Sequence, residues 1–248
     1  MRDKREYWDK RAEMGPDRSV MDHNDRRGHK IRYITLLRDK ALLNFLKGVP
    51  SSSKILDFGC GTGNISRMLC ENGYNPVGVD ISLELLRHTR DQSRADCLFV
   101  QYDGERLPFP SNFFNACVTH EVLIHLTDNK LLSQCLKEMI RVVKPGGLLI
   151  AVEQTRRKSV FKEEGMKMQR SEEELLQLLE SAGFSNRESN IIRRGHFPLI
   201  YLIRYGLVPE VLFPYVGMVE SFFGKVFKKP LFDYVSMVFV AVKPLSKG

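Results

Sequence analysis

The chain is short of cysteine and shows no ordered arrangement of it. Its 248 residues include five cysteines (Cys60, Cys70, Cys97, Cys117, Cys135), an odd number with no CxxC spacing. That pattern argues against a disulfide framework or structural zinc site and for a reducing compartment. Long apolar runs are also lacking. The richest stretch, His196 to Phe223, is broken by Arg204, Glu210, Glu220 and three prolines, so it does not read as a bilayer-crossing helix. The opening MRDKREYWDKRAEMG is charged throughout and has no apolar core of a secretory signal. No internal repeat or low-complexity tract is visible. These absences point to a cytoplasmic protein, and ordinary hydrophobic (43%) and charged (27%) fractions exclude fibrous or wholly disordered architectures. The length suits one α/β domain with additions.

The net charge of +8 is uneven. Residues 1–53 carry 13 basic and 8 acidic side chains (+5), residues 54–153 carry 10 and 12 (−2), and residues 154–248 carry 15 and 10 (+5). Basic ends around an acidic middle allow an anionic partner, although a solvated surface explains the same pattern.

Ile31, Ile34, Leu37, Ala41, Leu42, Phe45 and Leu46 recur at threes and fours, one stripe of an amphipathic helix stopped by Gly48, Pro50 and three serines. Short apolar runs follow at Lys54–Phe58, Pro76–Val79, Cys97–Val100, Phe113–Val118 and Leu148–Val152. Helical patterns near Ile65–Asn72, Leu83–Arg90 and Asp128–Val143 separate them, and repeated βα units imply a parallel sheet covered on both faces. Ser171 and Glu174 form a capping box for a helix ended by Gly183. Strands are expected around Ile191–Ile192 and over Asp233–Val242, with the apolar block 196–230 between them.

The strongest chemical signal is Asp57-Phe58-Gly59-Cys60-Gly61-Thr62-Gly63-Asn64, where an apolar strand becomes a helix. Alternating glycines let main chain turn sharply against a ligand, and helix-start N–H groups offer donors. The spacing departs from the dinucleotide fingerprint, whose third glycine would stand where Asn64 does, and this disfavours a nicotinamide-dependent dehydrogenase. Asp57 beside the turn suits a cation such as a sulfonium better than a pyrophosphate. Asp80 ends the second strand, where a carboxylate can accept from two ribose hydroxyls. Asp103 follows the third strand, placed to accept from an exocyclic amine. The three acids are expected to converge on one sheet edge.

With these residues in hand, the sequence resembles the class I S-adenosylmethionine-dependent methyltransferases, particularly the small-molecule (type 11) group that includes ubiquinone/menaquinone-biosynthesis-like enzymes. LDFGCGTG, VDIS, YDGERLPFPSNFFN, HEVLIHL and KEMIRVVKPGGLLIAVE carry the resemblance, which is close over about residues 50–155. It implies a Rossmann-like, seven-stranded, mostly parallel sheet with helices on both faces, an N-terminal helical lid and a helical insertion before the last strand. The corresponding divisions are 1–50 (lid), 51–195 (core), 196–230 (insertion) and 231–248 (final strand and tail). S-adenosylmethionine is the implied cofactor, with S-adenosylhomocysteine as product and no metal. The residues implied to hold it are Asp57, Gly59, Cys60, Gly61, Thr62, Gly63, Asn64, Asp80, Ile81, Asp103, Gly104 and His120. The family usually has Asp where Asn115 stands and often Glu where Ile124 stands.

Methyl transfer needs alignment above all, and an oxygen acceptor also benefits from a general base. Candidate bases are His120, Glu121, His125 and Glu153. Each has a plainer alternative, such as lining the cofactor site, packing a helix or capping the sheet edge. Tyr7, Trp8, Arg11, Arg18, Arg32 and Tyr33 are candidates for closing over the cofactor or reaching the substrate.

The expected function is therefore methylation of a small molecule at oxygen. Residues 196–230 are expected to wall the pocket, join two subunits as a homodimer, or touch a membrane surface. A lipid or lipid-linked saccharide would then be an alternative acceptor, with Lys225, Lys228 and Lys229 meeting anionic headgroups. Nucleic-acid methylation is disfavoured, because VTHEVL replaces the tetrapeptide that holds a flipped amino base and no RNA-binding module is recognisable. A non-catalytic cofactor-binding subunit is the third alternative.

Overall fold

Period-two alternation sorts the strand side chains onto two buried faces. The computed structural model describes residues 2–15, 25, 27–92, 97–226 and 234–245. Five strands alternate with helices through the middle of the chain: β1 (Lys54–Phe58), β2 (Asn75–Asp80), β3 (Leu98–Gln101), β4 (Phe114–His120) and β5 (Val143–Thr155). Two more follow, β8 (Ser185–Arg194) and β9 (Val235–Val242), and a separate hairpin is formed by β6 (Val160–Lys162) and β7 (Lys167–Gln169).

The main sheet has seven strands in the order β3-β2-β1-β4-β5-β9-β8. The first five pair in parallel, and β9 runs antiparallel to both β5 and β8. The C-terminal ends of β1, β2, β4, β5 and β8 therefore share an edge with the start of β9. The expected seven-stranded, mostly parallel architecture is what the chain adopts.

Leu56 and Phe58 of β1, Leu149 and Ala151 of β5, and Met237 and Phe239 of β9 face one cluster. Helices α5 (Asn129–Val142) and α6 (Glu172–Ser181) complete it with Leu132, Leu136, Met139, Leu175 and Leu179. Ile55, Ala116, Val118, Ile150, Val152, Val238 and Val240 face the other, under Leu42 and Leu46 of α2 (His29–Leu46) and Ile65 and Leu69 of α3 (Asn64–Glu71). Ser171 caps α6 as expected, its Oγ accepting from Glu174 N at 3.1 Å.

Among the described residues of 1–50, which the sequence reads as helical, two helices occur. Helix α1 (Arg2–Ala12) lies against α4 (Leu83–Gln92), where Ser82 Oγ donates to Asp9 Oδ1 at 2.6 Å. Helices α7 (Pro198–Arg204) and α8 (Phe213–Val226) follow β8 and pack on α2 through Tyr33, Phe197, Ile200, Ile203, Phe213 and Val216. Tyr33 Oη donates to the buried Glu220 carboxylate at 2.7 Å, fastening α2 to α8.

Candidate active site

A cavity of about 790 Å³ opens at the shared edge of the sheet. Its size lies within the roughly 300–1,000 Å³ common for small-molecule sites. The glycine-rich loop forms one end. Gly59 and Cys60 N–H groups both donate to Val79 O (2.8 and 3.0 Å), folding the chain over the end of β2. Gly59, Gly61 and Gly63 all have left-handed φ (72°, 52° and 75°), which glycine adopts without steric cost. A Cβ at Gly59 would lie 2.3 Å from Val122 Cγ2, so the turn after β4 closes directly on this loop.

Asp80 is buried at the end of β2 and lines the cavity. Gly61 N donates to its Oδ2 and Ser82 N to its Oδ1, both at 2.9 Å. Burial raises its pKa, against these backbone donors. Each carboxylate oxygen keeps lone-pair capacity after these bonds. The loop, this acid and the neighbouring Ile81, Leu85 and Tyr102 offer polar recognition beside an apolar wall, which fits a nucleoside linked to an amino acid.

The sequence places the cofactor residues only in part. Gly59, Cys60, Gly61, Thr62, Asn64, Asp80, Ile81 and His120 line the cavity. Asp57 does not: it is buried beneath the loop, where its Oδ2 accepts from Ser66 Oγ of α3 at 2.6 Å. Burial pushes its carboxyl up to about 6, so it serves as an anchor between β1 and α3. Gly63 is the N-cap of α3, where a Cβ would meet Thr89 Cγ2 at 2.5 Å. Asp103 and Gly104 also lie off the cavity wall. The Asp103 side chain is exposed and its Oδ1 accepts from Glu105 N (2.8 Å) and Arg106 N (3.0 Å). Of the three aspartates Asp80 lines the cavity, while Asp57 is held by the Ser66 hydroxyl and Asp103 by backbone N–H groups.

Among the candidate bases, His120, Glu121 and His125 line the cavity, and Glu153 does not. Glu153 is buried, and its two oxygens accept from Val122 N (3.1 Å), Leu123 N (2.9 Å) and Ile124 N (3.2 Å). Burial raises its carboxyl to about 8, and its position under the turn makes it a brace for the segment after β4. Burial depresses both His120 and His125 to about 4, so both imidazoles are uncharged at neutral pH. His120 Nε2 stands 3.9 Å from Glu121 Oε1. His125 is buried beneath Trp8, ring centroids 4.8 Å apart, with Nδ1 3.3 Å from Met166 O. Glu121 takes a left-handed φ of 53°, uncommon for a residue with a Cβ, and accepts from Gln154 Nε2 at 2.8 Å. Burial works to raise the Glu121 carboxyl, but His120, Gln154, Lys167 and Arg193 outweigh it and hold it low.

Lys4, Tyr7, Trp8 and Arg11 of α1 form one wall, and Ile31, Ile34, Thr35 and Arg38 of α2 another. Arg32 instead pairs with Glu210 at 2.7 Å, and Tyr33 turns to Glu220. Arg18, Lys228, Lys229 and the Lys225 side chain lie outside the described residues. No described residue of the 196–230 block lines the cavity; that block buttresses α2 from behind. Arg38, Gln154, Lys167 and Arg193 were missed by sequence reasoning, and the β6–β7 hairpin and reversed β9 that deliver several of them leave no local pattern. The pairing Arg193-Arg194 at the end of an Ile-rich run was the available hint. Among the described residues no cluster of three metal-capable side chains occurs, and no helix is long and apolar enough to cross a membrane.

Residues 56–151 match the family model for a methyltransferase domain. A ubiquinone/menaquinone biosynthesis C-methyltransferase of Pseudomonas savastanoi pv. phaseolicola is 36% identical over 117 residues, 44% of this chain and 44% of that protein. The match thus spans less than half the length of this relative. The cyclase SpnF shares the fold at TM-score 0.63 and 21% identity, over 85% of this chain and 82% of that one. An S-adenosylmethionine-dependent methyltransferase from Methanosarcina mazei does so at 0.58 and 20%, over 83% and 98%. Over residues 56–151 the chain is thus similar to a methyltransferase domain, and its sheet is shared with these solved structures.

Proposed function

We propose that the chain moves a methyl group from S-adenosylmethionine to a small-molecule acceptor, at an oxygen or an acidified carbon. One observation carries this reading: a single cavity joins the glycine loop and Asp80 to His120 and Glu121. The cofactor, when bound, supplies an activated sulfonium methyl group and departs as S-adenosylhomocysteine. Main chain of Gly59–Thr62 would hold its amino-acid half and Asp80 its ribose. His120, uncharged at neutral pH, is free to accept the proton that an O–H or acidified C–H acceptor releases. The relative's name speaks of carbon as the acceptor atom, and His120 serves either chemistry. Residues 1–50 act as a lid in this reading, with α1 covering the cavity from the side of α4.

Calorimetric titration with S-adenosylmethionine, followed by S-adenosylhomocysteine release across a metabolite panel, tests the proposal. Acceptor-dependent release supports it. Absence of cofactor binding sinks it, and binding without turnover for any acceptor favours a non-catalytic subunit.

A second reading concerns location. Tyr205, Leu207, Val211 and Phe222 of the 196–226 region are 64%, 68%, 75% and 65% exposed, a density of apolar surface that suits contact with a membrane surface. Flotation with anionic and neutral liposomes decides it, and failure to float with either removes the idea.

A further inference from the structure

Arg193 is the last but one residue of β8 and is 4% exposed. It forms part of the cavity wall, yet its Nε and Nη2 are buried with no hydrogen-bond partner among the described residues. The ring of Tyr234 lies 5.8 Å from the guanidinium carbon. A buried guanidinium presents a planar fork of N–H donors that calls for acceptors. The Glu121 and Glu220 carboxylates feel the charge of Arg193, but their hydrogen bonds go to other donors. Glu220 accepts from Tyr33 Oη and Arg194 N, and Glu121 accepts from Gln154.

The position of Arg193 in the sheet separates it from the cofactor end. Its register partner on β9 is Ser236, which pairs in turn with Gln154 of β5. Between β1, which carries the glycine loop, and β8 lie four inter-strand steps in the order β1-β4-β5-β9-β8. At about 4.8 Å per step this is roughly 19 Å. His120 and Glu121, at the end of β4, stand between the two. Arg193 therefore belongs to the end of the cavity that an acceptor would fill. Charge agrees: the cavity lining holds six lysines and arginines against four carboxylates, an excess of two positive charges.

We propose that the methyl acceptor carries an oxyanion, a carboxylate or phosphomonoester, which Arg193 binds at the wall farthest from the glycine loop. The planar fork of guanidinium donors matches such a group with two parallel hydrogen bonds. Held there, the acceptor extends back toward His120 and its reacting atom is fixed at the other end. This rests on the methyltransferase reading and names the substrate class for it.

The test uses the full chain saturated with S-adenosylhomocysteine and four probes: benzoate, phenyl phosphate, benzamide and phenol. Thermal melting is followed at physiological salt for the wild type, Arg193→Gln and Arg193→Lys. The expected result is a higher melting temperature with benzoate, phenyl phosphate or both, and none with the two neutral probes. Response to one anion alone identifies which oxyanion is recognised. Arg193→Gln should lose the response, and Arg193→Lys should keep it with about ten-fold weaker half-saturation, because an ammonium cannot reproduce the fork. Equal response to neutral and anionic probes, or an anion response unchanged in either variant, overturns the inference. Should Arg193→Gln fail to fold, the probe comparison in the wild type and the lysine variant decides alone. The shift produced by S-adenosylhomocysteine itself is the separate readout: its absence fails the methyltransferase reading, whereas its presence without anion preference fails only the role of Arg193.

Discussion

Gly59 and Val122 touch so closely that the glycine loop and the turn after β4 form one surface, with Val122 Cγ2 only 2.3 Å from where a Cβ at 59 would stand. Gly59→Ala combines this clash with a left-handed φ of 72°. Overpacking and backbone strain together should cost about 2–4 kcal/mol. Val122→Ala removes both clashing methyl groups, so the double variant should recover a large part of the loss in urea unfolding. A double variant no more stable than Gly59→Ala alone would show that the two do not meet.

Asp80→Ala removes the cavity's buried acid at the end of β2 together with the acceptor for Gly61 and Ser82 N–H. Each lost hydrogen bond between the carboxylate and a ribose hydroxyl is worth about 1.5–3 kcal/mol. Calorimetry should accordingly show S-adenosylmethionine binding weakened by at least ~100-fold. Unaltered affinity would remove Asp80 from the cofactor site.

For His120 the expected outcome is a kcat effect. His120→Ala should lower kcat by about 10²–10⁴-fold while cofactor affinity changes little. Because burial holds this imidazole near 4, activity in the wild type should persist down to about pH 5 and fall below it as the ring takes up a proton. An acid limb centred near the ordinary histidine value would contradict the assignment.

Glu153 makes a stability prediction with a definite sign. Its folded carboxyl, raised to about 8, stays protonated where the unfolded chain has already lost the proton. From about pH 4.5 to 8 the folded state therefore binds more protons, and this residue's contribution to stability declines as pH rises. The two depressed histidines act oppositely, their contribution being lost as pH falls from about 6.5 toward 4. Comparison with Glu153→Gln isolates the acid. The stability of the wild type relative to the variant should fall with pH, by at most about 1.4 kcal/mol per unit, and level off above 8. A difference independent of pH would refute the shift.

The sheet was legible because its information is local. Ile55-Leu56, Val77-Gly78-Val79 and Leu149–Val152 are short apolar stretches suited to strands buried on both faces, and the glycine loop announces its own turn. The Asp80 position followed from the same strand logic. The Ser66 hydroxyl that holds Asp57 and the Glu105 N–H that holds Asp103 are local partners whose choice is invisible without coordinates. The engagement of Glu153 is equally hidden, its three backbone donors coming from residues about thirty positions earlier. Arg193 and Lys167 reach the cavity only through a reversed strand pair and a small hairpin, which no spacing rule encodes.

The hydroxyl-to-carboxylate link from Tyr33 to Glu220 joins segments 187 positions apart, both outside the matched methyltransferase region. It ties the helix that faces the cavity to a second helix that never reaches it. Grafting either segment alone from another enzyme would strand a polar group in an oily joint. Reprogramming which molecule this protein accepts therefore calls for exchanging both as a matched set.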